Sequence, residues 1–287
     1  MPDKIEAKPQ QTLQEHLKYL RVLRPIDDIF MRCMFKDNLP LIQFALRIIL
    51  NRPDLALTHC ETQKDLKRLV GLRSLELDIY ADEVRVYLDE KGNKKLFIIK
   101  YNLETERSED RMEPHRLRYH VSAIDVESLK QGQDFKELPE CYVIFITETD
   151  YFGAGKPVYT IERTILECKN RLFGDGEHIL YVNAAYRGDD DIGKLMHDFC
   201  CSDPDEMLLE PMAERARYLK QNDKGVKEMS KVYEEILSKG DERGTVRTRL
   251  SDLKMLMEKL GYTVQQAMDL LEVPPELRLK LEPQLNA

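Results

Sequence analysis

The fold is decided by residues 73–102, which read RSLELDIYADEVRVYLDEKGNKKLFIIKYN. Apolar and polar side chains alternate along this stretch, which is typical of strands because successive side chains point to opposite faces. The alternation predicts three strands, at Ser74–Ala81, Val84–Asp89 and Leu96–Asn102. Lys91-Gly92-Asn93 predicts a turn between the last two, since Gly and Asn tolerate positive φ. We therefore expect a three-stranded meander.

Lys100 is the unusual residue of this stretch, because a charge at the end of an apolar strand needs a partner. Asp78 and Glu76 share one face of the first strand and are the predicted partners. This pattern has two interpretations. It is the layout of a metal-dependent nuclease site, in which carboxylates hold Mg²⁺ and a lysine or amide positions water or the transition state. It is also the layout of a structural salt bridge at the end of a sheet.

Five segments of the chain are similar to segments of one protein family. They are LRPIDDIFMRCMF (Leu23–Phe35), ETQKDLKRLVGLRSLELDIYA (Glu61–Ala81), RLRYH (Arg116–His120), ELPECYVIFITETDYFG (Glu137–Gly153) and FGDGEHILYVNAAYRGDDDIGKLMHDFCCSDPDEM (Phe173–Met207). They resemble the Rpn family of recombination-promoting nucleases and transposases, a branch of the PD-(D/E)xK nuclease superfamily. The resemblance spans about Leu23–Leu271.

The resemblance implies an α/β fold with a mixed central sheet flanked by helices, the restriction-endonuclease-like core. It also implies Mg²⁺-dependent endonuclease cleavage of DNA, with Asp78 as the first metal-binding aspartate. In that family the third strand usually ends in Glu-x-Gln, as in a segment such as YDIEIQ. Aligned on residues 97–102, Lys100 replaces the glutamate and Asn102 replaces the glutamine. An ammonium group at that place would repel Mg²⁺, so we expect metal binding to be weak or lost.

Two functions follow from this alignment. The first is a DNA endonuclease with impaired catalysis, in which Asp78 binds the metal, Lys100 stabilises the phosphate and Asn102 positions water. The second is a catalytically inactive module that binds DNA or a protein partner and keeps only the nuclease fold. The sequence leaves both open.

Further candidates lie on neighbouring segments. By resemblance, Asp28 lies near the active site, although a plain helix N-cap explains it equally well. Arg116 or Arg118 would contact a phosphate from the helix predicted after the third strand. His120 would orient water, or it is an ordinary histidine on a polar helix face.

The segment after Asn102 is polar and acidic, and Leu103–Asp110 is predicted to be an exposed loop. Superfamily members sometimes carry a catalytic acid on a neighbouring element. Glu104 or Glu106 would in that case partly replace the missing glutamate.

The remaining pattern supports a mixed sheet. Cys141–Thr147 and His178–Asn183 are continuous apolar runs typical of buried strands, and Met112–Leu129 reads as a helix between strands. We predict an N-terminal helix and tail at 1–22, a nuclease-like domain at 23–210 and a helical C-terminal region at 211–287.

The C-terminal region contains a short apolar seam with spacing 4, 3, 4, 3, formed by Val246, Leu250, Leu253, Met257 and Leu260. Such spacing is typical of a coiled coil. Thr263 and Gln266 predict a capping box at the start of a further helix. The short helices at the C-terminus are predicted to form a helical hairpin for packing or self-association, or a helix-turn-helix-like unit. Because the seam has no other obvious burial site, we expect a homo-oligomer through these helices.

Composition sets the broad class. The 287 residues are 42% hydrophobic and 33% charged, with a net charge of −8. This fits a soluble protein and argues against tight non-specific binding of nucleic acid by the whole surface. No apolar run is long enough for a membrane helix, and the N-terminus lacks a signal-peptide core, so a cytoplasmic location is expected. The six cysteines have no zinc-type spacing.

Overall fold

A six-stranded mixed sheet forms the centre of the protein in the computed structural model. Its strands are β1 (Leu57–Leu66), β2 (Leu75–Leu88), β3 (Lys94–Glu106), β4 (Glu140–Thr147), β5 (Val158–Ile161) and β8 (Glu177–Asn183). Their order across the sheet is β1-β2-β3-β4-β8-β5. The short strands β6 (Thr164–Ile165) and β7 (Arg171–Leu172) form a separate two-stranded sheet.

The helices follow the start signals in the sequence. They are α1 (Asp28–Phe35), α2 (Leu39–Ile49), α3 (Pro114–Ser128), α4 (Asp191–Cys200), α5 (Glu210–Gln221) and α6 (Val264–Leu270). Residues 223–232 are also helical. Short 3-10 turns occur at Phe135–Glu137, Leu166–Cys168 and Pro204–Glu206. Asn38 caps α2 by accepting a hydrogen bond from the Leu41 amide, and Thr263 and Gln266 form the predicted capping box of α6.

The structure describes residues 21–66, 75–88, 92–107 and 112–232, followed by 235, 253, 257, 263–271, 273, 278, 281–282 and 285. The chain divides into two compact units. The larger contains residues 1–66 and 75–230, and the smaller contains 67–74 and 231–287. Most of the predicted N-terminal helix and tail at residues 1–22 and three residues of the C-terminal seam lie outside the described residues.

The second strand is longer than the alternation suggests. Two strands were expected at residues 74–81 and 84–89, but β2 is continuous through Asp82 and Glu83. Asp82 pairs with Lys100 in the ladder between β2 and β3. Glu83 is buried and accepts hydrogen bonds from Arg52, Arg85 and Tyr101. The acidic pair therefore belongs to a strand because partners distant in sequence compensate its charge.

The third strand also continues beyond its predicted end. The expectation of an exposed loop from Leu103 is wrong for residues 103–106, which belong to β3. Glu104 pairs with Phe145 and Glu106 with Thr147 in the parallel ladder to β4. Both glutamates are buried, at 1% and 6% exposure. The extension moves two acidic side chains from solvent into the protein.

The expected mixed sheet is confirmed. β1, β2 and β3 are antiparallel neighbours, whereas β3, β4 and β8 run parallel. β4 and β8 lie where the apolar runs predict strands, and α3 connects β3 to β4. The charged segment Leu57–Leu66, for which no strand was predicted, forms β1 at the edge of the sheet.

The two faces of β3 have different neighbours. α3 packs on one face through an apolar cluster formed by Leu117, Val121, Ile124, Tyr80, Val143 and Phe145. On the opposite face, Arg52 follows α2 and donates to the Tyr101 hydroxyl at 2.8 Å and to Glu83 at 2.9 Å. The side chains of Asn102 and Glu104 therefore face α3.

The smaller unit has an apolar core of its own. Leu253, Ala267, Met268, Val273 and Leu281 are buried together, and Met257 packs against them. Leu253 and Met257 belong to the predicted seam, so the assumption that the seam has no burial site within the chain is wrong for these two residues. Self-association of the C-terminal helices stays a prediction.

Within the described part of the chain, no helix is both long enough and apolar enough to span a lipid bilayer.

Lys220, in α5, connects this helix to residues 21–23 and to Ser202 within the larger unit. Its ammonium group is buried and donates to the carbonyl oxygens of Arg21, Leu23 and Ser202. We expect Lys220→Met to lower the free energy of unfolding by about 3 kcal/mol, because three carbonyls lose a charged donor. Urea unfolding measures the change, and Lys224→Met, at an exposed position of the same region, is the control. Equal losses in the two variants would contradict this role.

Candidate active site

Two carboxyl groups meet where β2 and β3 lie side by side. Ile79 pairs with Leu103, which places Asp78 opposite Glu104 on the face covered by α3. The Asp78 amide donates to Glu104 Oε1 at 3.0 Å, which brings the two carboxyl groups close enough to influence each other's protonation. Glu104 is buried, whereas Asp78 keeps some exposure to solvent. Asp78 is therefore the more exposed residue of the pair.

Both carboxyl groups hold their protons more tightly than free side chains do. Burial raises the pKa of Asp78 well above its ordinary value, and the nearby carboxylates of Glu104 and Asp28 raise it further, while Arg32 and Arg116 oppose the shift. Burial also raises the pKa of Glu104, against the hydrogen bonds from Asn102 and from the Asp78 amide. Two neighbouring carboxylates at a largely buried site are unfavourable when both are charged, so a proton or a cation close to them stabilises the pair.

Asn102 connects this pair to α3. Its Nδ2 donates to Glu104 Oε1 at 2.7 Å, and its Oδ1 lies 3.1 Å from His120 Nδ1. Because Oδ1 can only accept, His120 Nδ1 carries the proton of this hydrogen bond. His120 is itself buried, edge-on to the Phe145 ring. The contact fixes the orientation of Asn102, and Asn102 in turn fixes that of Glu104.

Arg116 brings the positive charge of the site. Its guanidinium forms an ion pair with Glu106 and lies 3.6 Å from Glu104 Oε2. It also stacks over the Phe145 ring, at 5.2 Å from the ring centre. The predicted phosphate-binding role is thus compatible with its position. Arg118 is exposed on α3, and no contact with the carboxyl pair is found among the described residues.

The start of α1 lies close to Asp78. Asp28 is in its first turn and forms an ion pair with Arg32 at 2.8 Å. The N-cap is the preceding residue, Asp27, whose carboxylate binds Arg24 and Arg107 rather than capping the helix. Arg107 directly follows β3, so this network ties α1 to the end of the strand that carries Glu104. Asp28 is consequently a neighbour of the site, and it is not the N-cap of α1.

Lys100 does not lie where the sequence alignment places it. It pairs with Asp82 in the ladder, and its ammonium lies 5.5 Å from the centre of the Tyr80 ring. Burial lowers its pKa, while Asp82 acts in the opposite direction. The prediction that Asp78 and Glu76 are its partners is wrong, because the antiparallel register offsets Lys100 by four residues from the position opposite Asp78. Glu76 lies opposite Asp65, further along β2.

Glu104 is the residue that the sequence reading placed in a loop and that the structure places in the centre of the site. The signal was present in the alternation, which continues through Asn102, Glu104 and Glu106 on one face.

The donor set suits a small, hard cation. Asp78 and Glu104 offer carboxylate oxygens, and Mg²⁺ is commonly bound by one or two carboxylates while it keeps several waters. Within the described ranges no cluster contains three or more His, Cys, Asp or Glu side chains placed to bind one metal. The pair therefore fits Mg²⁺ or Mn²⁺ and does not fit a metal that requires a closed protein cage.

Comparisons with protein-family models, with curated proteins and with solved structures found no match to this chain.

We expect Asp78→Asn to stabilise the protein when metal is removed with EDTA. A raised pKa means that the folded state binds more protons than the unfolded state above about pH 4, so the stability of the parent falls as pH rises toward the raised pKa. The melting temperature of the variant should exceed that of the parent most at pH 8, and the gap should narrow toward pH 4.

The control is Asp65→Asn at an exposed position of the neighbouring strand β1, where no such gap is expected. A parent that gains stability between pH 5 and pH 8 relative to Asp78→Asn would contradict the raised pKa.

Proposed function

We propose that this chain is a divalent-cation-dependent phosphodiesterase that cleaves DNA, with Asp78 and Glu104 as the metal-binding carboxylates. The observation that carries the proposal is the placement of Asp78 opposite Glu104, whose Oε1 accepts from the Asp78 amide at 3.0 Å, with Arg116 beside the pair. Neighbouring carboxyl groups whose pKa values are raised are a suitable pair to bind a cation.

The family resemblance supports DNA as the substrate. The family segment YDIEIQ fits residues 101–106, YNLETE, better than residues 97–102, FIIKYN. In this alignment the first aspartate and the glutamate of the Rpn pattern are both present, as Asp78 and Glu104. The departure is at Glu106, which stands where the family has glutamine and forms an ion pair with Arg116. The chain thus keeps the two acidic positions on which metal binding in this family depends.

Each side chain has a separate task in this proposal. A bound Mg²⁺ would polarise the phosphate and lower the pKa of a coordinated water. Asp78 and Glu104 hold the cation, and Asn102 orients Glu104 through a hydrogen bond that His120 supports. Arg116 lies beside Glu104 and offers its charge to the negative phosphate, where it stabilises charge that develops in the transition state.

The alternative function, an inactive module that binds DNA or protein, depends on Lys100 occupying the place of the metal. Lys100 lies opposite Asp82, so this reason no longer applies. A folded parent that binds DNA without nicking it would favour the alternative.

The proposal is tested by incubating the purified full-length chain with supercoiled plasmid and Mg²⁺ or Mn²⁺. We expect the parent to nick the plasmid, and Asp78→Asn and Glu104→Gln each to reduce the rate at least ~100-fold, because each removes a charged metal ligand. Lys100→Met should stay within about threefold of the parent, since Lys100 lies four residues from Glu104 along β3, opposite Asp82 and away from the carboxyl pair.

Thermal melts confirm that every variant is folded. Equal nicking by the parent and by Asp78→Asn would point to a contaminant or to another site. A loss confined to Lys100→Met would restore the assignment of Lys100 as the residue at the glutamate position.

A further inference from the structure

Gln63 has an unusual backbone conformation directly beside the candidate site. Thr62 pairs with Ile79 and Lys64 with Leu77, so Gln63 lies opposite Asp78 in the ladder between β1 and β2. Its φ is +59°, in the left-handed region that residues other than glycine rarely adopt within a strand. Such a conformation persists only where the surrounding structure imposes it, and it is common at binding and catalytic sites.

The side chain of Gln63 reaches the same carboxyl group. Its Nε2 donates to Asp78 Oδ1 at 3.5 Å. Its Oε1 is enclosed and accepts no hydrogen bond from any residue that the structure describes. A buried amide oxygen without a donor is unfavourable and rare in folded proteins. A cation beside this oxygen would remove the unfavourable term.

We propose that Gln63 is the third protein ligand of the divalent cation, through Oε1, while its Nε2 holds Asp78 in place. This inference rests on the proposed function, because it assumes a cation at Asp78 and Glu104. An amide oxygen is a hard donor of the kind that Mg²⁺ and Mn²⁺ accept alongside carboxylates. Two carboxylates and one amide oxygen from three adjacent strands then form the protein side of the site.

Glycine at this position separates the ligand role from a structural one. Gln63→Gly removes the oxygen and also relieves the positive φ. We expect the metal-free variant to be at least as stable as the parent in thermal melts, yet to bind Mn²⁺ about tenfold more weakly. A purely structural glutamine would show the opposite pattern, with lower stability and unchanged affinity.

The experiment is isothermal titration of Mn²⁺ into the full-length parent, Gln63→Gly, Gln63→Glu and Asn170→Gly. Gln63→Glu supplies a charged oxygen, so we expect Mn²⁺ to bind more tightly than in the parent. Asn170 also has a positive φ, but it is exposed between the strands of the separate small sheet, so Asn170→Gly should match the parent.

The outcomes distinguish the two proposals. If the parent and Gln63→Gly bind Mn²⁺ with equal affinity while Asp78→Asn does not bind, the role of Gln63 is overturned and the proposed function stands. If the parent binds no Mn²⁺, both are overturned. Weaker binding by Gln63→Gly with undiminished stability supports the ligand role.

Discussion

The contact between the carboxyl groups of Asp78 and Glu104 is the constraint on which the rest of the site depends. Burial raises the pKa of both acids, and the Glu104 carboxylate raises that of Asp78 further, so the pair favours a proton or a cation between them. The fold does not avoid this contact. Asn102, His120 and Arg116 surround the two acids. These residues fix the orientation of Glu104, whether a proton or a cation lies between the carboxyl groups.

The register of β2 and β3 is what brings the acids together, and the opposite face of the sheet specifies that register. Glu83 and Tyr101 share a 2.6 Å hydrogen bond there, and Arg52 binds both of them. A slip of one residue would turn Glu104 to the other face and separate Glu83 from Arg52. The buried ion pair on one face thus holds the geometry of the candidate site on the other.

Local signals in the sequence predicted the helices well. Asn38 and Thr263 each cap the helix that they precede, because a cap needs only residues two or three positions away. The buried strands β4 and β8 were equally clear from their continuous apolar runs. The mixed sheet followed from these elements without any tertiary information.

The acidic positions could not be predicted in the same way. Asp82 and Glu83 resemble a turn, and residues 103–106 resemble a loop, until their partners are known. Those partners, Arg52 for Glu83 and Asp78 for Glu104, are 31 and 26 residues away. Tertiary contacts therefore decided whether a charge was exposed or buried, and local polarity led to the wrong end of β3 and to Lys100 instead of Glu104.

The most direct measurement is anomalous X-ray diffraction from crystals of the full-length chain grown with Mn²⁺. If Asp78 and Glu104 form one cation site, a single strong peak will lie about 2.0–2.3 Å from a carboxylate oxygen of each residue. A peak beside Asp82, or crystals in which Mn²⁺ binds elsewhere and leaves Asp78 and Glu104 without a cation, would contradict this site.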